Sequence, residues 1–288
     1  MAVRKTQDQY VQELTQENKR IHYMAYALIV LLIAVIVASV LKQFILTSLL
    51  LVAAILYQIF VVRRQQRAYL KKCENTNLEL STLKDFSDTD IEEKGTQLSE
   101  QDLEAAGLLP FVPKTASFFK SVHGAKGKLD ICATDCSVAQ HQHEKGVAAE
   151  INTGNWIRIR LPEHTGLNVR ILEDGLFPEA FRTDFYQKQQ LEEAARPDSI
   201  PSSMHLYTAD QEAKLPSGAF LQKLRSFTDY TPGKVAVSIR DDVLDVYIRN
   251  RFLSAGFSVR EAVTKQELTR DPYPELHHVL ELVSFLIR

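Results

Sequence analysis

The chain has 288 residues, with 34 Lys+Arg against 36 Asp+Glu, a formal net charge of -2 and a pI near 6.5. This balance gives no electrostatic ground for a nucleic-acid partner, and the length leaves room for one or two domains. Three cysteines, Cys73, Cys132 and Cys136, are too few and odd in number for a disulfide framework, which argues for a reducing compartment.

Residues 1–21 are polar, with Tyr10, Val11 and Leu14 clustered, and predict a short cytosolic helix. An apolar run then follows, "YMAYALIVLLIAVIVASVLKQFILTSLLLVAAILYQIFVV", interrupted by Lys42 and Gln43. As one helix these ~40 residues would extend about 60 Å, twice the hydrocarbon thickness. Folded back at Lys42-Gln43 they give two segments, near 22–41 and 44–62, each about one bilayer crossing long. A lysine at the bilayer centre costs about 2.5–3.5 kcal/mol, whereas at a turn it reaches the headgroups. The interruption is therefore read as the turn of a transmembrane hairpin over 22–62. A secretory signal peptide would have a shorter apolar core and no second span.

Arg4, Lys5, Lys19 and Arg20 precede the first segment and Arg63, Arg64, Arg67, Lys71 and Lys72 follow the second, while the turn carries Lys42 alone. The positive-inside rule then puts both termini in the cytoplasm. The same cluster, Arg63, Arg64, Arg67, Lys71 and Lys72, is a candidate contact for anionic lipid.

Residues 63–98 read as a juxtamembrane helix running into an acidic linker, "SDTDIEEKGTQ". A cytosolic α+β domain is expected over 99–288. "SEQDLEAAGLLP" opens it as a brief capped helix, with Ser99 as N-cap, Asp102 in the first turn and Gly107 past the end. From about 128 the period changes to two. "WIRIRL" and "LNVRIL", joined by "PEHTG", form an expected hairpin with Arg158, Arg160 and Arg170 on its outer face, and "KVAVSIRDDVLDVYIRN" forms another, turning at Asp241-Asp242. Further strands are expected near 128–138, 146–152, 204–208 and 256–260. Helices are expected at "DFYQKQQLEEAAR", at "SGAFLQKLRSF" with Phe220, Leu221, Leu224 and Phe227 on one stripe, and at "PELHHVLELVSFLIR" with Leu276, Val279, Leu280, Val283 and Ile287 inward. The resulting class is α+β: an N-terminal two-helix transmembrane hairpin, then a mostly antiparallel-sheet soluble domain with a C-terminal helix.

Cys132, Cys136, His141 and His143 offer four metal-ligand types within twelve residues. On one strand, however, the two thiols lie about 13 Å apart, and neither ordinary zinc spacing is present, so no metal site is assigned. No phosphate loop, dinucleotide fingerprint or nucleophile elbow occurs, so no cofactor and no catalytic residue is assigned. Arg158, Arg160 and Arg170 form a small cationic patch able to meet phosphate or an acidic partner, partly neutralised by Glu163, Glu173 and Asp174.

The succession "AAGLLP", "VHGAKGKLDICATD", "GNWIRIRLPEHTGLNVRILEDG", "MHLYTADQEAKLPSGAFLQKLRSF" and "KVAVSIRDDVLDVYIRN" resembles the uncharacterised bacterial membrane proteins of domain-of-unknown-function family 3137. The resemblance covers about residues 95–288 and the placement of the hairpin. It implies a bacterial plasma-membrane protein with a cytosolic domain and a LemA-type membrane protein as a conceivable partner, and it brings no catalytic residues. The expected function is a membrane-anchored, non-enzymatic interaction or scaffold module. The alternatives are a lipid- or small-ligand-binding domain at the inner leaflet and a membrane-surface hydrolase.

Overall fold

The computed structural model describes residues 5–109, 114–139, 151–177, 185–209, 214–254 and 256–287. The chain divides into two compact units, Met1–Lys84 with Ser254–Pro272, and Asp85–Leu253 with Tyr273–Arg288.

In the first unit, the polar N-terminal stretch and the first apolar segment are one helix, α1 (Gln7–Val40), rather than two pieces. Thr6 caps it through a reciprocal box with Gln9. The helix stops where the sequence placed the turn. Gln43 N donates to Ala38 O and Lys42 N to Ser39 O, the paired bonds of a Schellman close. Lys42 occupies the left-handed position, φ 56°, that glycine ordinarily takes. α2 (Phe44–Tyr57) follows and passes through a π-helical stretch, Gln58–Val62, into α3 (Arg63–Leu80).

Two helical segments, Gln7–Val40 and Phe44–Leu80, are long and apolar enough to cross a membrane, with windows of mean hydropathy 2.6 and 2.5. Their large side chains are bare: Ile36, Val40, Phe44 and Ile45 are 62–81% exposed. A continuous apolar surface of this kind is unfavourable in water and neutral in hydrocarbon.

Below the apolar stretch, Leu14, Ile21, Tyr69 and Cys73 form a core with Val263 and Leu268 of the returning segment 254–272. That segment contains α6 (Lys265–Thr269; α5 is in the second unit), and it does not contain the strand expected at 256–260. Its carbonyls are taken by side chains instead of a sheet partner. Asn18 Nδ2 donates to Val259 O at 3.0 Å, and Asn77 Nδ2 meets the carbonyls of Glu267, Leu268 and Arg270 at 3.1, 3.1 and 2.8 Å. Asn77, 1% exposed, thus satisfies the otherwise orphaned end of α6.

The second unit is a nine-stranded sheet in the order β1-β2-β3-β4-β9-β8-β5-β7-β6, antiparallel throughout. The strands are β1 (Ser87–Glu92), β2 (Ser117–Lys126), β3 (Leu129–Ala139), β4 (Ile151–Arg160), β5 (Asn168–Glu173), β6 (Glu192–Glu193), β7 (Met204–Thr208), β8 (Val235–Arg240) and β9 (Val243–Arg249). Helices α4 (Glu100–Ala106), α5 (Gly218–Tyr230) and the C-terminal α7 (Glu275–Val283) complete the α+β fold.

Four expectations change here. The acidic linker is the edge strand β1, where Asp and Glu discourage further strand addition. Within 184–196 only residues 185–188 of those described are helical, and Glu192–Glu193 pair with β7 instead, so strand addition overrides helix propensity. In α7 Leu282 is buried in place of Leu280, and Ile287 lies beyond the helix end, 38% exposed. Finally, β4 and β5 are not a hairpin. The β8–β9 hairpin lies between them, and the loop joining them straddles its tip: Leu161 N donates to Asp242 O and Asp241 N to Leu167 O.

Alternation sends Ile131, Ile157, Ile159, Leu244, Val246, Val237 and Ile171 to one face, all at most 1% exposed. The stripes of α5 (Phe220, Leu221, Leu224, Phe227) and α7 are likewise buried, and Lys223 joins the two helices to each other through Glu281. The opposite face carries Arg158 and Asp245 beside an apolar cluster with Trp156 and Tyr247, and α4 lies over it through Arg158.

Asn77→Ala is expected to leave three carbonyls of the 254–272 segment without their donor, at about 1–3 kcal/mol. Hydrogen exchange across 254–272 in the full-length protein should quicken while exchange in β3, β4 and β9 is unchanged.

Candidate functional site

Trp156, Arg158 and Arg160 of β4 share a face with Cys132, Thr134 and Cys136 of β3 and with Asp245 and Tyr247 of β9. Half of this face is an apolar core containing Leu103, Cys136, Trp156, Tyr207 and Tyr247. The other half is ionic and centres on Asp245, which is 0% exposed. One Asp245 oxygen accepts from Trp156 Nε1 at 2.9 Å and Arg158 Nε at 2.7 Å, and the other from Arg240 Nη2 at 3.0 Å. Arg158 stacks its guanidinium 4.8 Å from the Trp156 ring centre and reaches outward to α4. There Nη1 meets Asp102 Oδ1 at 2.6 Å and Nη2 meets Asp102 O at 3.0 Å.

Asp102 is positioned by local sequence. Its second oxygen accepts from Ser99 N at 3.0 Å and Ser99 Oγ at 2.6 Å, and Asp102 N returns a bond to Ser99 Oγ, so the N-cap expected at Ser99 closes as a reciprocal capping box that also aims Oδ1 at Arg158. Gly107 ends α4 in the left-handed conformation, φ 62°, as its place in the sequence required.

A cavity of about 400 Å³ opens beside this chain of bonds, lined by Gln97, Leu98, Asp102, His123, Asp130, Cys132, Arg158 and Arg160. His123 Nε2 and Asp130 Oδ1 are 2.6 Å apart at its rim. Arg160 is exposed and, among the described residues, has no hydrogen-bond or ion-pair partner. The cleft therefore offers one uncommitted guanidinium beside two carboxylates that are already engaged.

Three of the groups lining the cleft have shifted titrations. Burial pushes the Cys132 thiol up to about 11, more than its bond to Thr134 lowers it. Burial also opposes the Asp102 carboxylate, but hydrogen bonds from Ser99 and Arg158 outweigh it and keep the group below its usual range. Desolvation of Arg158 is outweighed by Asp245 and Asp102, so its cation is reinforced. Near pH 7 these three groups are a protonated thiol, an ionised carboxylate and a fixed guanidinium.

The three arginines read as one outer patch are separated. Arg158 and Arg170 are buried, at 8% and 5% exposure, because this face is covered. Arg170 is on β5, three strand spacings or about 14 Å from β4, because β9 and β8 intervene. Two of the acids expected to neutralise the patch serve elsewhere. Glu173 binds Lys234 Nζ at 2.6 Å and Val235 N at 3.1 Å, and Asp174 meets His205 Nε2 at 2.8 Å.

Of the basic cluster, Arg63, Arg64, Arg67 and Lys71 are exposed on α3, while Lys72 is held by Glu13, at 2.8 Å, and by Glu17. Cys132 and Cys136 share a face as expected, one lining the cleft and the other in the apolar core. His141, His143 and Arg4 lie outside the described residues. Among the described residues no three of His, Cys, Asp and Glu gather as a metal site.

Sequence reading missed Asp245 and His123. The signal for Asp245 was present in "VLDVYI", where an aspartate stands in a strand otherwise made of residues that seek burial.

With its pKa near 11, Cys132 is roughly one part in a thousand thiolate at pH 8. Iodoacetamide labelling of the native protein, read by mass spectrometry, should spare Cys132 at pH 8 and rise steeply as pH passes 10. Rapid labelling at pH 8 would contradict this environment.

No family model matches the chain, and no curated protein matches it. Among solved structures, the crystal structure of the mycobacterial trehalose monomycolate transport factor A, TtfA, is similar at 8% identity and a TM-score of 0.38, over 74% of this chain and 95% of that one. A likeness of that degree carries no argument about what this chain does.

Proposed function

We propose that the protein is a membrane-anchored, non-enzymatic interaction module of the bacterial plasma membrane, crossing twice, with both termini and the sheet unit in the cytoplasm. The observation that carries this reading is the distribution of charge around the two apolar helices. Lys19 and Arg20 on one side and Arg63, Arg64 and Arg67 on the other are exposed, against Lys42 alone at the turn. Basic residues concentrated at the chain ends of a hairpin favour retention of those ends in the cytoplasm. The exposed Arg63, Arg64 and Arg67 also suit contact with anionic headgroups, and Lys72, engaged by Glu13 and Glu17, leaves that set.

The cleft is the proposed recognition surface, with Arg160 as the residue that meets an acidic group of a partner. Tethering raises the effective concentration of such a surface near membrane partners, so a modest intrinsic affinity suffices. The fixed charge states around the cleft support binding over catalysis, and the thiol at its wall is not activated. The resemblance to family 3137 nominates a LemA-type protein as the partner to look for first. A small anionic ligand is the second reading, supported by the 400 Å³ volume of the open cleft.

A reporter enzyme fused after residue 288 should be active only when the reporter is one that works in the cytoplasm, and periplasmic activity would refute the orientation. Crosslinking in native membranes, followed by pull-down, should recover a partner with the wild-type chain and lose it at least tenfold with Arg160→Glu, whose side chain is exposed and whose substitution spares the fold. Equal recovery by both chains would remove the cleft from the reading.

A further inference from the structure

The face that carries the cleft holds a second cationic arrangement, farther along the sheet, whose charges do not balance. Arg170 of β5 is 5% exposed, and its hydrogen bonds go to neutral acceptors, Asn168 Oδ1 at 3.0 Å and Val169 O at 3.2 Å. Among the described residues its Nε has no partner. Opposite Arg170 on β8 stands Ser238, 0% exposed, whose Oγ likewise has no partner among them. Two residues along the same face of β8 comes Arg240, whose Nε is a third buried atom without a partner among the described residues, although its Nη2 reaches Asp245. Neighbouring strands are about 4.8 Å apart and same-face neighbours about 7 Å, so these three groups border one small volume.

The local charge is one-sided. Asp245 is the carboxylate shared by Arg158, Arg240 and Trp156, and Asp102 serves Arg158. Arg170 has no carboxylate of its own among the described residues. A buried guanidinium facing another cation and two empty donor positions is an unfavourable state for the protein alone. It becomes favourable when an anion with two or more oxygens bridges the two arginines. Burial first and then repulsion from Arg240 outweigh the attraction of Tyr186 and Asp245 and lower the Arg170 pKa to about 10.

We propose that Arg170, Arg240 and Ser238 form a binding site for a small oxyanion, a phosphate or carboxylate group, distinct from the cleft at Arg160. The oxyanion accepts from Arg170 Nε and Arg240 Nε and from the Ser238 hydroxyl. Arg240, with about a quarter of its side chain exposed, is the side of entry, and Ser238 is the floor. The site is independent of the partner reading above.

The test uses the full-length protein in detergent at constant ionic strength, with chloride exchanged for inorganic phosphate, and a parallel arm in nanodiscs with and without phosphatidylglycerol. The wild-type melting temperature should rise saturably, by about 5 °C, in at least one arm. A rise with free phosphate assigns a soluble oxyanion, and a rise confined to phosphatidylglycerol assigns a lipid headgroup. Arg170→Met should abolish the rise while melting at or above the wild-type temperature in the phosphate-free chloride buffer, because it removes an unbalanced buried charge. Should that variant fail to fold, Ser238→Ala serves in its place, with the midpoint of the phosphate titration moved several-fold higher. No saturable rise in either arm, or a rise that persists undiminished in Arg170→Met or Ser238→Ala, overturns the proposal.

Discussion

A carboxylate sealed from water cannot tolerate being alone, and the sheet unit is arranged around one. Asp245 on the central strand β9 draws Arg158 from β4, Arg240 from β8 and the indole nitrogen of Trp156 to its two oxygens. Because each donor comes from a different side chain in register, a slip of one residue in β4 or β8 would send that strand's donors to the opposite face. The bond from Arg158 to Asp102 then extends the constraint to α4, so the helix that covers this face is held by the group that fixes strand register. Buried ion pairs of this type add little net stability but are costly to break, which makes them devices of specificity here. The same network builds one wall of the cleft, so the side chains that fix register also shape that opening.

The helical unit answers to a different solvent. Its bare Ile, Leu, Val and Phe side chains are consistent with hydrocarbon, and its one sharp reversal is closed entirely by backbone bonds. Lys42 accepts a left-handed conformation at a cost of about 1 kcal/mol or more, and in return its charged end stands exposed at the tip of the hairpin. Glycine would relieve the strain but leave the tip without a cation.

Features governed by neighbours in sequence were legible before the structure. The Lys42-Gln43 turn, the Ser99 N-cap, the Gly107 stop and the Asp241-Asp242 hairpin each depend on a few adjacent residues, and each is found where it was expected. The α+β class followed from alternation in the strands and the stripe on α5. What escaped was set by residues far apart in the chain. Nothing in "PEHTG" says that a hairpin made eighty residues later will lie between the strands it joins, and with that insertion the supposed surface patch of Arg158, Arg160 and Arg170 is divided across the sheet. The stretch 256–260 misled for a related reason. Its apolar residues do pack, but against helices, and its carbonyls meet Asn18 rather than a strand.

The asparagine-held return of 254–272 to the helices has a consequence for how the protein is made. The helical unit draws on two stretches far apart in the sequence, so the chain passes between the two units three times, and the helix base is incomplete until residues 254–272 have been made. Until then Leu14, Tyr69 and Cys73 lack the apolar cover of Val263 and Leu268. Any product cut short before residue 263 keeps that notch open, an apolar flaw that sets truncated copies apart from longer ones.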